Sequence, residues 1–442
     1  MGRVSKIQRR NQMKHNTTGQ TQPSQRPFGL TLVHLLLGVM LVMISSCATI
    51  PGTQVGDQVA PIVPAHELGD AELLNVSIRV FDPGQLPKDP DKKSGLSAEI
   101  REAESRFAPI HLKHTLQRTG YWGVVRVVPD NDIGSEVLVQ GKIEHSDGEN
   151  AVLRIMVSDA RNIVWFQHTY AETARPEEHN SVEPEKEDVF QDLFNSIAND
   201  IASYRNSLSP SEIAEIRQIA ALKYAYSMAP DAFGSYLTTT PEGRLAIQRL
   251  PAENDPMFDR VEAVKVRDDL LVDTINDYYD IYYQDLWEPY ANWRRYRHEE
   301  VATLRKLERQ ALTKQLLGIT AIVGAIALGA SGDYDTAVRT RPLQDVLIAG
   351  GAYSVYSGFQ TRQESKINKD AIEELGTSFS SEAEPLTIEV EGKTIRLTGS
   401  AEQQYAKWRS MLKQIYAQET GLIPQSEDVP GFQSPASTET EP

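Results

Sequence analysis

One cysteine, Cys47, is all that the 442-residue chain contains, so no disulfide can form within it and the fold rests on packing. Acid is missing from the first 46 residues, which carry Arg3, Lys6, Arg9, Arg10, Lys14 and Arg26. The apolar run Leu30–Ile44 is 15 residues long and includes His34, short of the ~20 residues a helix needs to span a bilayer. There is no Gly-x-Ser-x-Gly nucleophile turn, and Gly134–Lys142 has the wrong spacing for a phosphate-binding loop. His111 and His114 are three apart, as metal ligands can be. No cysteine or third ligand joins them at diagnostic spacing, so both are read as helix-surface residues and neither a metal nor a cofactor is expected. Basic surface is scarce as well. Removing the six leader cations leaves 39 basic residues against 61 acids, a formal charge of −22 in place of −16. That balance argues against nucleic acid and against adsorption to anionic lipid.

A basic leader, a short apolar segment and small residues before a cut make an export signal, removed rather than retained. Here the cut site is Ile44-Ser45-Ser46-Cys47, which resembles the lipobox of bacterial lipoproteins. The resemblance implies that residues 1–46 are a signal peptide and that Cys47 becomes the acylated first residue, anchored in lipid. Two or more acyl chains make such an anchor stable. In that family an aspartate after the cysteine marks inner-membrane retention; Ala48 at this position points to the outer membrane, facing the periplasm. The alternative is an ordinary signal peptide or signal anchor with an incidental cysteine, and Met13 offers a second start.

Residues 47–71 hold prolines and glycines with little periodicity, which predicts a flexible tether. From 72 to 205 an α/β domain is expected. Leu74, Val76, Ile78 and Val80 alternate as a half-buried strand, and a helix over 97–119, broken or restarted at Pro109, turns Ile110, Leu112 and Leu116 inward. Strand Trp122–Val128 comes next. Glu136–His145 and Val152–Asp159 form a hairpin around Ser146-Asp147-Gly148-Glu149, Ile163–Tyr170 returns after a tight turn, and Val189–Tyr204 has helical spacing. This order, with Leu-Gln-Arg-Thr-Gly-Tyr-Trp-Gly-Val-Val-Arg-Val-Val-Pro over 116–129 and Glu-Val-Leu-Val-Gln-Gly-Lys-Ile over 136–143, resembles a periplasmic module. It is the module shared by the N-terminal domain of the TolB translocation protein, the curli-export CsgG family and the PelC exopolysaccharide lipoproteins. The resemblance implies a non-catalytic module that docks or forms rings within envelope machines.

A helical domain is expected over 209–360. Ser209-Pro210-Ser211-Glu212 is a helix start, with a capping serine, a proline in the first turn and a reciprocal glutamate. Thr240-Pro241 and Asp255-Pro256 repeat the device. Helix-favouring sequence then runs to about Gly329, with Pro289 expected to break or kink it. Two features stand out. An aromatic band, Tyr278, Tyr279, Tyr282, Tyr283, Trp287, Tyr290, Trp293 and Tyr296, falls on one broad face. It reads as a helix–helix seam with tyrosine hydroxyls reaching solvent, or as a surface for protein, membrane edge or glycan, with Tyr279, Tyr283, Trp287 and Tyr290 as the candidates. Small residues also recur every four positions, as Ala321, Ala325 and Gly329 and as Gly350, Ser354 and Gly358, a pattern that lets backbones approach closely. The pair reads as a packed helical hairpin, an intersubunit zipper or a hairpin dipping into lipid.

Residues 361–420 are expected to add a β-hairpin and a helix opened by the capping box Ser400-Ala401-Glu402-Gln403, packed on the helical middle. The acidic tail 421–442 reads as disordered. The fold class is therefore α+β. The function expected is a non-catalytic assembly or scaffolding part of an envelope complex, partnered by lipid, by envelope proteins and by further copies of itself. The alternatives are an enzyme acting on peptidoglycan or polysaccharide, for which no carboxylate pair stands out among the many acids, and an oligomeric pore.

Overall fold

Alternation in Leu74–Arg79 makes a strand one in from the edge of a six-stranded sheet. The computed structural model describes residues 53–56, 58–86, 96–128, 134–174, 188–328, 369–376, 386–390 and 393–421, with backbone alone for 300–328, 386–390 and 393–394. Cys47, Gly329, Gly350, Ser354 and Gly358 lie outside the described residues. Ala321 and Ala325 lie in a helix whose side chains there are not described.

The sheet strands are β1 Thr53–Gln54, β2 Leu74–Arg79, β3 Trp122–Val128, β4 Val137–Ser146, β5 Asn150–Asp159 and β6 Val164–Thr173, in the order β1-β6-β5-β4-β2-β3. β2 is parallel to β3 and to β4, β4–β5–β6 is an antiparallel meander, and β1 is parallel to β6. One face buries Val76, Ile78, Val139, Leu153, Ile155 and Val157. The other, with Ser77, Arg79, Gln140, Lys142, Arg154 and Gln167, is half-buried or exposed. Gly141 in β4 is required by the close approach of Phe81, whose ring lies 2.5 Å from where a Cβ would stand.

Helix α1, Ala98–Thr119, is capped by Ser97 and ends on Gly120 in the left-handed region. It is continuous through Pro109, contrary to the expected break. Proline cannot donate to the Ser105 carbonyl one turn back, but the Phe81 N–H takes that carbonyl at 2.9 Å, so the orphaned acceptor is satisfied from outside the helix. α1 is buried on two sides. Ala108, Leu112 and Leu116 join the sheet core, while Ile100, Ala103, Phe107 and Ile110 join a second core.

Helix α2, Gln191–Ser207, and helix α3, Pro210–Met228, follow, with the Ser209–Glu212 capping box fully formed. The expected divide at 205–209 is not a boundary. Ile213, Ile216 and Ile219 of α3 belong to the sheet core, and residues 51–442 form one unit. After the four-residue helix α4, Pro230–Phe233, Thr240-Pro241 does not start a helix. It turns the hairpin between β7, Leu237–Thr239, and β8, Leu245–Ile247, where Gly243 donates to the Thr240 carbonyl at 2.9 Å.

Helix α5, Pro256–Leu328, is 73 residues, about 110 Å at 1.5 Å per residue, and Pro289 does not break it. Its first half covers the sheet edge at β3. There Val127 N–H donates to Asn276 Oδ1 at 2.9 Å and Asn276 Nδ2 donates to the Val127 carbonyl at 3.0 Å, so one side-chain amide takes the place of a neighbouring strand and closes the edge. Arg126 adds paired contacts to Asp273 at 2.6 and 3.0 Å. Asn276→Leu strands both backbone groups in a buried place and should lower unfolding free energy by about 1–3 kcal/mol. A thermal melt checks it; an unchanged Tm would show that the amide does not close the edge.

Strands β9, Leu386–Val390, and β10, Lys393–Leu397, form an antiparallel pair. Helix α6, Ala401–Thr420, opens on the Ser400–Gln403 capping box and buries Tyr405, Trp408, Leu412 and Tyr416 in the second core. Arg409 of α6 donates to Asp268 of α5 at 2.7 Å and to Ser227 of α3 at 3.0 Å, tying three helices together.

The expected flexible tether is corrected over residues 58–71, which are held by side chains of α2 and α3. Asp192 accepts the N–H groups of Gln58 and Val59, both at 2.8 Å. Asn195 donates to the Val59 carbonyl at 2.8 Å. Asn199 takes the Ile62 N–H at 2.7 Å and donates to the Ala60 carbonyl at 2.9 Å. Farther on, Arg205 donates to the Glu72 carbonyl at 2.6 Å and Arg217 to the Asp70 carbonyl at 2.9 Å. Residues 192, 195 and 199 share one helix face, and that face acts on the extended strap as a neighbouring strand would.

Candidate functional site

A dense cluster of buried polar groups lies where α5 crosses α1 and the start of α2. Glu104 of α1 is 4% exposed. Its Oε1 accepts from Ser146 Oγ of β4 at 2.5 Å and from Tyr290 Oη of α5 at 2.6 Å, and Arg101 stands 3.5 Å from Oε2. Burial pushes the Glu104 carboxyl above the usual carboxylate range, against the opposing pull of Arg101 and of the two hydroxyl donors.

Asp188, at the entrance to α2, meets Arg294 of α5 in a two-pronged pair at 2.9 and 2.6 Å. Their side chains are 0% and 2% exposed. Burial pushes Asp188 up, but the Arg294 guanidinium more than offsets this and holds the carboxyl below its ordinary value. The guanidinium also lies 4.2 Å over the Tyr290 ring, so it is held by charge and by a π face at once.

His111 completes the cluster. Its Nδ1 is 2.7 Å from Tyr283 Oη, and its Nε2 is 3.0 Å from Gln191 Oε1. An amide oxygen only accepts, so Nε2 carries the hydrogen and Nδ1 accepts from the tyrosine. Gln191 is oriented in turn by donating to Asn195 at 2.9 Å. Burial lowers His111 to about 4, against the raising effect of Asp188, so the ring is neutral at physiological pH. This corrects its assignment to the helix surface, since His111 is 3% exposed. His114 does stand near the surface, 2.9 Å from Asp280.

The aromatic band is the expected helix–helix seam and not the alternative surface. Tyr279, Tyr283, Trp287 and Tyr290 are 0%, 6%, 2% and 5% exposed, so they form no surface patch, and the hydroxyls of Tyr283 and Tyr290 bond inside the protein. Phe107 of α1 is the hub, stacked on Tyr283 at 4.8 Å and edge-on to Tyr290 at 4.9 Å. Glu104, Phe107, Asp188, Gln191 and Arg294 were not singled out by the sequence. Only the helical position of Phe107, three residues before Ile110 on the inward face, carried a signal.

Glu104, Ser146, Asp188, Tyr290 and Arg294, with Phe107, Phe190 and Phe194, line a cavity of about 30 Å³, room for a water-sized occupant. Among the described residues no group of three or more His, Cys, Asp or Glu could hold a metal, and no helix is long and apolar enough to cross a membrane. Chemically the cluster is a brace. The Asp188–Arg294 pair and the hydroxyls of Ser146 and Tyr290 on Glu104 link α1, β4, the turn before α2 and α5, and fasten the long helix to the sheet layer. Compared with family models, with curated proteins and with solved structures, the chain matches none.

Proposed function

We propose that the protein is a lipid-anchored, non-catalytic component of a bacterial cell envelope, attached through Cys47 to the periplasmic side of the outer membrane. In this role its braced α/β body and long helix hold partner proteins in place. The observation that carries the reading is Ile44-Ser45-Ser46-Cys47 after a basic leader and a 15-residue apolar run, followed by Ala48. Support comes from the brace, whose acids and aromatics are engaged in joining elements and whose α5 runs on for 73 residues. A helix fastened at one half and prolonged at the other suits a spacer or docking arm, and the small-residue rows at Ala321, Ala325 and Gly329 and at Gly350, Ser354 and Gly358 suit close helix contact with a partner or another copy.

The test is chemical. Trypsin applied to protein purified from membranes should release Cys47–Arg79 as the N-terminal peptide, with a mass raised by thioether-linked diacylglycerol and an N-acyl chain. Cys47→Ser should keep the leader, lose the acyl mass and fail to reach the outer membrane. An unmodified Cys47 in a protein that partitions into the aqueous phase sinks the reading, and digestion of murein or polysaccharide by the pure protein sinks its non-catalytic part.

A further inference from the structure

Helix α5 buries one side and leaves another in water with an unusual mixture of groups. Val266, Leu270 and Ile281 are 60%, 62% and 55% exposed. At 3.6 residues per turn the three fall within about 60° of one another on the helix. On or beside the same face stand Asp259, Glu262, Asp273, Asp277, Asp285 and Glu288. Asp273 pairs with Arg126 at 2.6 Å. The other five are exposed and meet no cation among the described residues. Acids three and four positions apart on a helix repel one another, and large apolar side chains are better placed out of water, so this face is improved by contact with an apolar surface of positive charge.

The later part of the same helix has that composition. Arg295 follows Asp277, and Lys306 follows Glu288, by 18 residues, which is five turns and returns to the same face. Helical spacing puts Ala302, Arg309 and Leu317 on it too, and Glu299 is its single acid between positions 292 and 317. Arg295 is half-buried and donates to Asn292 Oδ1 at 2.8 Å.

The face is therefore acidic and apolar in its first half and basic and apolar in its second, and the halves match when one is reversed. A two-fold axis passing between residues 291 and 292, with a second α5 laid antiparallel, sets Glu288 opposite Arg295, Asp277 opposite Lys306 and Asp273 opposite Arg309, each pair equidistant from the axis to within one residue. It also sets Val266 opposite Leu317 and Ile281 opposite Ala302, and leaves Glu299 opposite the uncharged Gln284. A parallel pair would instead stack acid on acid, which is costly.

We infer that this face of α5 is an interface between two copies of the chain, packed antiparallel so that the acidic half of each helix lies on the basic half of the other. A two-fold contact uses one self-complementary patch twice, and the charges fix its direction and register. Acylation of Cys47 is not required for this contact.

Two exposed or helix-face charges test it in the full chain purified in detergent. Asp277→Lys sets lysine against Lys306 twice across the axis, and Lys306→Glu sets glutamate against Asp277 twice. Light scattering on the eluting protein should give a dimer for the wild type and a dimer dissociation constant raised at least about tenfold in each single variant. Asp277→Lys/Lys306→Glu in one chain should restore the wild-type value, because each new lysine then faces a new glutamate. Thermal melts of the monomeric fraction keep a folding defect distinct from lost association. In growing cells, a photo-crosslinking phenylalanine analogue at Leu270 should give an adduct of twice the chain's mass. Wild type that stays monomeric overturns the inference, as does an oligomer indifferent to both substitutions, which would rest on another surface such as the rows at Gly350 and Gly358. Single variants that lose the dimer without recovery in the double variant overturn the antiparallel register, and a Leu270 adduct to a different protein gives the face to that partner instead.

Discussion

Arg294→Met should destabilise the fold by about 3–5 kcal/mol, the largest loss expected of any single polar substitution in this protein. Among the described residues of α5, the guanidinium is the group that holds Asp188, through contacts at 2.9 and 2.6 Å, and both side chains are essentially out of water. Removing it leaves a carboxylate that must stay charged without its counter-ion or take up a proton at a raised pKa. The rings on which it lies, Tyr290 at 4.2 Å and Phe190 at 5.7 Å, lose their cation as well. Arg294→Met with Asp188→Leu removes both charges, so the double variant should recover most of the loss, because a buried pair as a whole is worth little more than well-packed apolar groups. Urea midpoints for the wild type, the two single variants and the double variant complete the cycle. Equal loss in the single and double variants would show that Asp188 is not the group Arg294 serves. Arg294→Lys should fall between, since an ammonium cannot reproduce the two-pronged contact.

What could be read from the sequence divides along the range of the interactions. Leu74, Val76, Ile78 and Val80 announce a strand because alternation is a property of neighbours in the chain, and the capping boxes at Ser209 and Ser400 announce helix starts because their partners lie three residues on. The hairpin around Gly148 was equally legible, with its φ of 88° and its turn closed by Asp147.

Long-range partners carried no such mark. Tyr290 meets Glu104 across 186 positions and Arg294 meets Asp188 across 106, and nothing local distinguishes those two acids among 61. Pro109 looked like a break because its remedy, the Phe81 N–H, comes from another element. The strap looked like a tether because its pairing groups, Asp192, Asn195 and Asn199, sit on a helix more than a hundred residues away. His111 looked superficial because polarity suggests exposure; its burial depends on Tyr283 and Gln191 satisfying both ring nitrogens.

Stability should fall by about 3 kcal/mol as pH drops from 7.5 to 4 through His111 alone. The unfolded histidine titrates near 6.5, and burial holds the folded one at about 4. Above pH 6.5 both states are neutral and the contribution is complete. Between 6.5 and 4 the unfolded chain takes up a proton that the folded protein refuses, so the native state loses ground until the folded ring also titrates. Glu104 acts in the opposite sense, because its folded pKa is raised: acidification toward the unfolded value favours the folded state, where the carboxyl is already protonated. Asp188 is depressed, so its share is lost only as pH falls below the ordinary carboxylate value. The three are separated by variant rather than by the shape of one curve. His111→Gln cannot titrate and keeps an amide able to meet Tyr283 and Gln191. It should be less stable than wild type at pH 7.5 through imperfect packing, and the gap should close or invert by pH 4. Urea midpoints at pH 7.5, 6 and 4.5 test this, and ¹⁵N shifts of the ring should report a neutral Nε2–H tautomer still present at pH 5.5. A gap that stays constant across that range, or a ring that titrates near 6.5 in the folded protein, would place His111 in contact with water and remove it from the brace that joins α1 to α2 and α5.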